Sequence, residues 1–245
     1  MANKKRLIFL SSDEIYNGNY KDDIEEEEKF SGIGIRADAL SQAEEICENF
    51  RMNRGLDIVT LRLDHLYSIP KEKKDINNIC ARMCLDCLRD GHIKAKSNHV
   101  FSLLYEKDAV EYIYQLVKNT KHERSRYNLS SNDVISEVEL AAKVQEAMGT
   151  ESNIAVFSDS NGRCVLSGRR FEQEYGVHAF GNLEKNIKDM AAYMQRHKNV
   201  FLNEDDKNYV EPDISVICNP DKLDDKGCNG APDWVIEIVS PSSQR

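Results

Sequence analysis

The sequence predicts an α/β fold built on a parallel sheet, and a strand–helix–strand order near its start is the main observation. Leu7 to Leu10 form an uninterrupted apolar run, which is typical of a strand buried on both faces. Residues Ala37 to Met52 repeat apolar side chains at spacings of three and four and predict a helix that Gly55 closes. Residues Asp57 to Leu63 predict a second buried strand, so the three elements form a parallel βαβ unit.

Polar side chains follow both predicted strands at the point where each strand ends. Ser11-Ser12-Asp13-Glu14 follows the first strand, and Asp64-His65 follows the second. Ligands of open α/β sheets bind at the carboxyl ends of the strands. We therefore expect Ser12, Asp13 and Glu14 to supply proton-handling groups to a site. The residue types alone favour the simpler alternative of a buried strand followed by a polar turn.

The chain continues to alternate strands and helices as far as about residue 197. The predicted elements are a helix over Ile76–Arg89, a strand over Val100–Tyr105, a helix over Ala109–Lys118 with Asp108 as its N-cap, a strand over Arg126–Ser130, a helix over Ser136–Met148 with a capping box between Ser136 and Glu139, a strand and turn over 154–165, and helices over Phe171–Tyr175 and Leu183–His197. The acidic run from Lys21 to Lys29 is expected to be a solvated loop or helix end.

Three cysteines, Cys80, Cys84 and Cys87, have the spacing of the iron–sulfur signature of radical-SAM enzymes. The same spacing places them at i, i+4 and i+7 of a helix, and cysteine is a common small buried residue. We therefore predict that they pack in a helix core and do not bind a cluster.

Composition excludes several classes of protein. The 245 residues carry a net charge of −9, which does not favour non-specific binding to nucleic acid, although an acidic nuclease still binds DNA through a metal ion. The apolar runs are far shorter than a membrane span, so no membrane partner is expected. The seven cysteines show no disulfide pattern, and the first strand follows Met1 almost directly, so a cytoplasmic location is expected.

The character of the sequence changes after a polar hinge at Asn203–Asn208. Residues Val210–Cys218 and Trp234–Val239 predict two strands, and the turn-rich residues between them predict a long connection. The C-terminal part is therefore expected to be a β-hairpin.

Residues 6 to about 197 resemble the later part of the extended short-chain dehydrogenase/reductases, the NAD-dependent epimerase/dehydratase family. The stretches that carry the resemblance are Ile8–Tyr16, Leu61–Tyr67, Phe101–Val110 and Tyr127–Ser130. It implies an incomplete Rossmann-like parallel sheet with substrate-lobe elements over residues 1–197, NAD as cofactor and a nucleotide sugar as substrate. Ser12 falls on the family's catalytic Ser/Thr, and Asp13 and Glu14 resemble the acid and base of nucleotide-sugar 4,6-dehydratases.

The chain departs from this family at its Tyr-x-x-x-Lys pair and its phosphate loop. Arg36 and Leu40 stand where the tyrosine and lysine are expected. Gly32-Ile-Gly34 is the nearest approach to a glycine-rich turn, and no strand is predicted before it. The first half of the nucleotide-binding sheet is therefore missing, the strand at Leu7 is expected to expose an apolar edge, and a partner chain could complete the sheet.

Residues Val210–Ser243 closely resemble the Uma-type restriction endonucleases of the PD-(D/E)XK fold. The resemblance assigns residues 200–245 to a nuclease fragment and implies Mg²⁺ as its metal and DNA as its partner. It makes Asp213 and Glu237 the metal ligands, with Asp233 as a third candidate. Val239 stands where many nucleases of this fold carry their lysine.

The sequence therefore predicts a degenerate epimerase/dehydratase-like region fused to a partial nuclease, without the full activity of either. One alternative is a Mg²⁺-dependent DNA endonuclease of the Uma type. The other is a non-enzymatic or partner-dependent remnant.

Overall fold

The computed structural model describes residues 5–17, 21–89, 91–131, 133–158, 162–202, 214–216, 223–224, 227–228 and 234–236. The chain divides into two compact units, Met1–Leu202 and Asn203–Arg245. The regions predicted from the sequence, residues 1–197 and 200–245, differ from this division by a few residues.

The first unit alternates strands and helices along most of its length. Its elements are β1 (Leu7–Ser12), β2 (Lys21–Ile24), α1 (Ile35–Arg54), β3 (Ile58–Leu63), β4 (His65–Tyr67), α2 (Ile79–Arg89), β5 (His92–Lys96), β6 (Val100–Tyr105), α3 (Glu106–Lys118), β7 (Arg126–Leu129), β8 (Val134–Ser136), α4 (Glu137–Met148), β9 (Asn153–Phe157), β10 (Arg163–Leu166), α5 (Arg169–Tyr175), α6 (Leu183–Arg196) and α7 (Lys198–Leu202).

A three-stranded parallel sheet in the order β1-β3-β7 carries the predicted βαβ unit. Leu7 of β1 lies opposite Ile58 of β3, and Thr60 of β3 lies opposite Arg126 of β7. Parallel strands need a crossover, and α1 supplies it between β1 and β3. Because all three strands run in the same direction, their carboxyl ends lie at one edge of the sheet.

Helices cover both faces of this sheet. Successive residues of a strand point to opposite faces, and β3 shows this clearly. Leu61 packs in a cluster with Tyr112 of α3 and Phe171 of α5, whereas Arg62 forms an ion pair with Glu44 of α1. The sheet is therefore covered by α1 on one face and by α3 and α5 on the other, as in doubly wound folds.

Strand β1 lies at an edge of the sheet, and this corrects the prediction that it is buried on both faces. Among the described strands it pairs with β3 alone. Leu7 is 53% exposed and Leu10 is 48% exposed, so apolar side chains face solvent along this edge. The neighbouring helix α1 also exposes Ile46 and Phe50. The predicted apolar edge is present.

A second sheet has the order β2-β10-β6-β4, and β8 pairs antiparallel with β6. Strands β5 and β9 form a separate parallel pair. Beside these strands, α2, α4 and α6 form the largest apolar core, in which Cys80, Cys84 and Cys87 are buried. The prediction that these cysteines pack in a helix core is confirmed.

One local prediction holds only in part and another is wrong, and both involve carboxylates that the fold buries. The acidic run begins as strand β2 and is mostly exposed as predicted, but Glu26 within it is buried because it accepts the backbone N–H of Asn128 and pairs with Arg170. Asp108 does not cap α3, which begins at Glu106. Instead, Asp108 accepts the backbone N–H groups of Phe180 and Gly181.

The second unit contains four short strands, β11 (Ile214–Val216), β12 (Leu223–Asp224), β13 (Gly227–Cys228) and β14 (Trp234–Ile236). Strand β11 pairs antiparallel with β14, and β12 pairs antiparallel with β13. The predicted metal ligands Asp213, Asp233 and Glu237 lie outside the described residues. Within the described part of the chain, no helix combines the length and the apolar character needed to cross a membrane.

Candidate functional site

Polar side chains from all three parallel strands meet at the carboxyl edge of the first sheet. Ser12 ends β1, and Asp13 opens the 3₁₀ turn that follows it. Asp64 and His65 follow β3, and Ser130 follows β7. The parallel direction of the strands brings these residues together although they are far apart in sequence.

Asp13, Asp64 and His65 form the centre of this site. His65 Nδ1 lies 2.8 Å from Asp13 Oδ2 and 3.4 Å from Asp64 Oδ1. Both carboxylates are buried, while the His65 side chain is 30% exposed. The His65 ring stacks on Phe101 of β6 with 4.8 Å between the ring centroids, and this contact fixes its plane.

Hydroxyl groups hold the outer oxygen of each carboxylate. Ser12 Oγ donates to Asp13 Oδ1 at 2.8 Å. Ser130 Oγ donates to Asp64 Oδ2 at 2.7 Å, and Ser102 Oγ donates to the same oxygen. The carboxylates are therefore fixed in orientation, each with its second oxygen directed toward His65.

The charges of the three groups depend on one another. Burial opposes ionisation of Asp13, but the neighbouring His65 imidazolium outweighs it and lowers the pKa of Asp13 below its ordinary value. Burial also opposes the positive charge of His65, but Asp13 and Asp64 raise the pKa of His65 well above its ordinary value.

Glu14 lies outside this cluster, in an ion pair with Arg36 of α1. Arg36 Nη1 lies 3.1 Å from Glu14 Oε1, and the side chain of Arg36 is 48% exposed while that of Glu14 is 32% exposed. Partial burial raises the pKa of Glu14, and the positive charge of Arg36 acts in the opposite direction. Leu40, one helical turn further along α1, packs against the apolar cluster that contains Ile15 and Tyr16.

A cavity of about 460 Å³ lies beside the site. Ser130 connects the cavity with the site, because it lines the cavity and its hydroxyl donates a hydrogen bond to Asp64. The other polar lining residues include Ser131 and two arginines that are paired with acids of β2, Arg163 with Asp22 at 2.8 Å and Arg169 with Asp23 at 2.6 Å.

The structure brings together Ser12 and Asp13 from the predicted site and places Glu14 beside them, with its partner Arg36. The sequence interpretation missed Asp64 and His65 as site residues. The available signal was their position, because they end the second buried strand just as Ser12 and Asp13 end the first. Ser102 and Ser130 carried no comparable signal, since their role depends on the packing of β6 and β7 around Asp64.

The model of the NAD dependent epimerase/dehydratase family matches residues 1–130, more than half of the chain. The chain belongs to this family. A second model, Uma2, described as "Putative restriction endonuclease", matches residues 177–245. This epimerase/dehydratase family member therefore also carries a segment similar to Uma2 nucleases, and that segment begins before the boundary predicted at residue 200.

Several solved structures share the fold of this family member. A dTDP-glucose 4,6-dehydratase from Bacillus anthracis is 16% identical with a TM-score of 0.69, covering 79% of this chain and 63% of that one. A UDP-glucose 4-epimerase from Thermotoga maritima, solved with UDP-glucose, is 20% identical with a TM-score of 0.70, covering 79% and 64%. A UDP-glucuronic acid 4-epimerase from Bacillus cereus, solved with UDP-glucuronic acid and NAD, is 12% identical with a TM-score of 0.70, covering 79% and 62%.

At these identities the likeness shows the fold alone, and the predicted Rossmann-like α/β class is confirmed. The chain spans less than two thirds of the length of each of these three structures. No curated protein matches the chain.

Proposed function

We propose that this chain binds a nucleotide sugar but does not transfer hydride to NAD. The observation that carries the proposal is the ion pair between Arg36 and Glu14. Arg36 stands where the resemblance to the family places its proton-donating tyrosine. A guanidinium remains protonated at neutral pH and cannot supply that proton.

Leu40 supports the same conclusion at the position of the family's lysine. Its side chain packs against an apolar cluster and offers no charge to a ribose or to a neighbouring hydroxyl. The sequence also lacks the glycine-rich turn that holds a dinucleotide pyrophosphate. The residues present therefore do not fit NAD, and no step of the proposed function passes through it.

The cavity beside Ser130 supports ligand binding. Its volume of about 460 Å³ is within the range of small-molecule sites. Arg163 and Arg169 line it, and guanidinium groups recognise phosphate oxygens through paired hydrogen bonds. A diphosphate would replace Asp22 and Asp23 as the partners of these two arginines.

Ser12, Asp13 and Glu14 remain the proposed catalytic positions if a partner chain extends the sheet beside β1. Such a partner would add a strand beside β1, whose outer edge is unpaired in the described part of the chain. The chain by itself is expected to bind without turnover.

Isothermal titration of the full chain with UDP-glucose, dTDP-glucose and NAD tests the proposal. We expect one of the two nucleotide sugars to bind with a dissociation constant below about 1 mM, and NAD not to bind at that concentration. Arg163→Ala and Arg169→Ala should weaken sugar binding, whereas Arg54→Ala, at the exposed end of α1, should not. NAD binding with NADH formation, or the failure of both sugars to bind, would refute the proposal.

The Uma2 match favours a second candidate function for the C-terminal segment, Mg²⁺-dependent cleavage of DNA. Two carboxylates that hold Mg²⁺ could activate water for phosphodiester hydrolysis. Asp213 and Glu237 are the proposed ligands, and Asp233 is a third.

Nicking of supercoiled plasmid with Mg²⁺ or Mn²⁺ tests this function. We expect nicking that is lost in Asp213→Ala and in Glu237→Ala and retained in Asp205→Ala, a carboxylate of the hinge. Nicking that is absent in the unaltered chain, or unchanged by both ligand substitutions, would show that the segment is not a nuclease.

A further inference from the structure

We propose that Asp13, Asp64 and His65 form a binding site for a divalent transition-metal ion. The three residues come from the carboxyl ends of β1 and β3, and each offers one ligand atom to a common point. This inference does not depend on nucleotide-sugar binding and is tested with the metal alone.

The distances suit a coordination shell. One ligand atom from each of the three residues lies within 4.8 Å of the others. Metal–ligand bonds of about 2.0–2.2 Å place neighbouring ligand atoms roughly 3 Å apart. The separations of 2.8 Å and 3.4 Å from His65 Nδ1 to the two carboxylates are close to that value.

One buried carboxylate oxygen has a neighbouring ring nitrogen but no well-directed hydrogen bond. Asp13 is only 4% exposed, and its Oδ2 lies 2.8 Å from His65 Nδ1 without meeting hydrogen-bond geometry with any described residue. A metal ion between these two atoms, in place of a proton on Nδ1, would bind both of them.

The surroundings resemble the outer shell of a metal site, in which hydrogen bonds orient the ligands. Ser12 holds Asp13, and Ser102 and Ser130 hold Asp64, in each case through the oxygen that faces away from His65. The partial exposure of His65 leaves one side of the site open to water or to a ligand from the cavity.

The donor set indicates the kind of metal. One imidazole with two carboxylates suits Mn²⁺ or Zn²⁺, whereas Mg²⁺ and Ca²⁺ prefer oxygen ligands only. Mn²⁺ is the better probe for this chain, because its weak affinity for thiolates limits binding at the seven cysteines.

Titration of the EDTA-treated full chain with Mn²⁺, followed by the EPR signal of the free ion, tests the site. We expect one bound Mn²⁺ per chain and a loss of affinity of about tenfold or more in Asp64→Asn and in His65→Gln. His122→Gln is the matched control, because His122 also pairs with an aspartate at 2.8 Å, but its other ring nitrogen bonds to the backbone carbonyl of Arg124 and not to a second carboxylate. The proposal would be overturned if the unaltered chain bound no Mn²⁺, or if it and the three variants bound Mn²⁺ with equal affinity.

A second measurement uses the unaltered chain, so it does not depend on whether a substituted chain folds. Bound Mn²⁺ should broaden the NMR signals of the His65 ring first. Those of His99 should follow, because its ring lies 5.9 Å from that of His65, and those of His122 should remain sharp. Simultaneous broadening of all six histidines would show that the ion binds without this site.

Discussion

At the scale of single residues, Arg62 of β3 shows how strongly the fold depends on buried charge. Its side chain is fully buried and donates to both carboxylate oxygens of Glu44 on α1, at distances from 2.6 to 3.1 Å. It also donates to the carbonyl of Glu26 and lies over the rings of Tyr16 and Phe30. One arginine thus joins the sheet, α1 and the segment after β2.

Arg62→Met is expected to destabilise the first unit by about 3–5 kcal/mol, because it leaves Glu44 charged and buried without its main partner. Arg62→Met combined with Glu44→Met should lose much less. Urea unfolding followed by circular dichroism measures both. Arg51→Met is the control, since its pair with Glu48 is partly exposed and screened by solvent, and it should cost less than about 1 kcal/mol. Equal losses in the single and double variants would contradict this prediction.

The surroundings of Asp57 predict that the free energy of unfolding depends on pH. Partial burial opposes its charge, but hydrogen bonds from His122 and Arg6 outweigh this and lower the pKa of Asp57 below its ordinary value. A carboxylate with a lowered pKa stabilises the fold above its unfolded pKa of about 3.9, and this contribution is lost as the pH falls through the folded value.

Asp57→Asn should therefore lower the melting temperature at pH 6 more than at pH 3, because the stabilisation by ionised Asp57 begins to fall once the pH drops below about 3.9. Melting curves across this range provide the measurement, with Asp189→Asn on the exposed face of α6 as the control. A difference between Asp57→Asn and the unaltered chain that stays constant from pH 6 to pH 3 would contradict the assignment.

At the scale of secondary-structure elements, β1 is the least protected strand of the first sheet. Its outer edge carries no described partner, and no charged residue or proline interrupts Leu7–Ser12. An unpaired apolar edge of this kind promotes association with other strands.

Leu10→Lys should therefore reduce concentration-dependent self-association in sedimentation velocity, because a charged side chain on an edge strand opposes pairing. Leu56→Lys is a matched control, since Leu56 is 49% exposed, close to the 48% of Leu10, but lies outside the described strands. If both substitutions reduced association equally, exposed apolar area in general, and not the strand edge, would be responsible.

The contrast between α2 and β1 shows what the sequence can predict about elements. Periodicity predicted α2 and its buried cysteines, because the partners of a helix face are implied by the pattern itself. The apolar run of β1 predicted a strand equally well but overstated its burial. Burial of a strand depends on its neighbours in the sheet, and the pattern within the strand carries no information about them.

The candidate site shows the same limit. Ser12, Asp13 and Glu14 could be selected because they are consecutive and end a strand. Asp64 and His65 belong to the same site only because β1 and β3 are aligned in parallel with Ser12 opposite Leu63. That alignment depends on packing across the whole sheet.

At the scale of the whole molecule, the packing of α6 shows where the first unit ends. The Uma2 match begins at residue 177 and includes α6. However, α6 buries Leu183, Ile187, Met190 and Met194 in the core formed with α2 and α4. The physical boundary therefore lies after α7, at residue 202.

Deletion of residues 203–245 should leave the melting temperature of the first unit nearly unchanged, whereas deletion of residues 177–245 should abolish cooperative unfolding because it opens this core. Calorimetry of the two shortened chains measures the difference. Cooperative melting of the shorter one would show that α6 belongs to the nuclease-like segment.

The buried cysteines of α2 allow the opening of this core to be measured with a thiol reagent. Burial raises the pKa of the Cys80 thiol to about 12, so a thiol reagent at neutral pH meets neither exposed sulfur nor thiolate while the fold is intact. Cys47, half-buried on α1, remains within reach of the reagent. Slow labelling of Cys80 and Cys84 would therefore time the opening of their core, with the faster labelling of Cys47 as an internal reference.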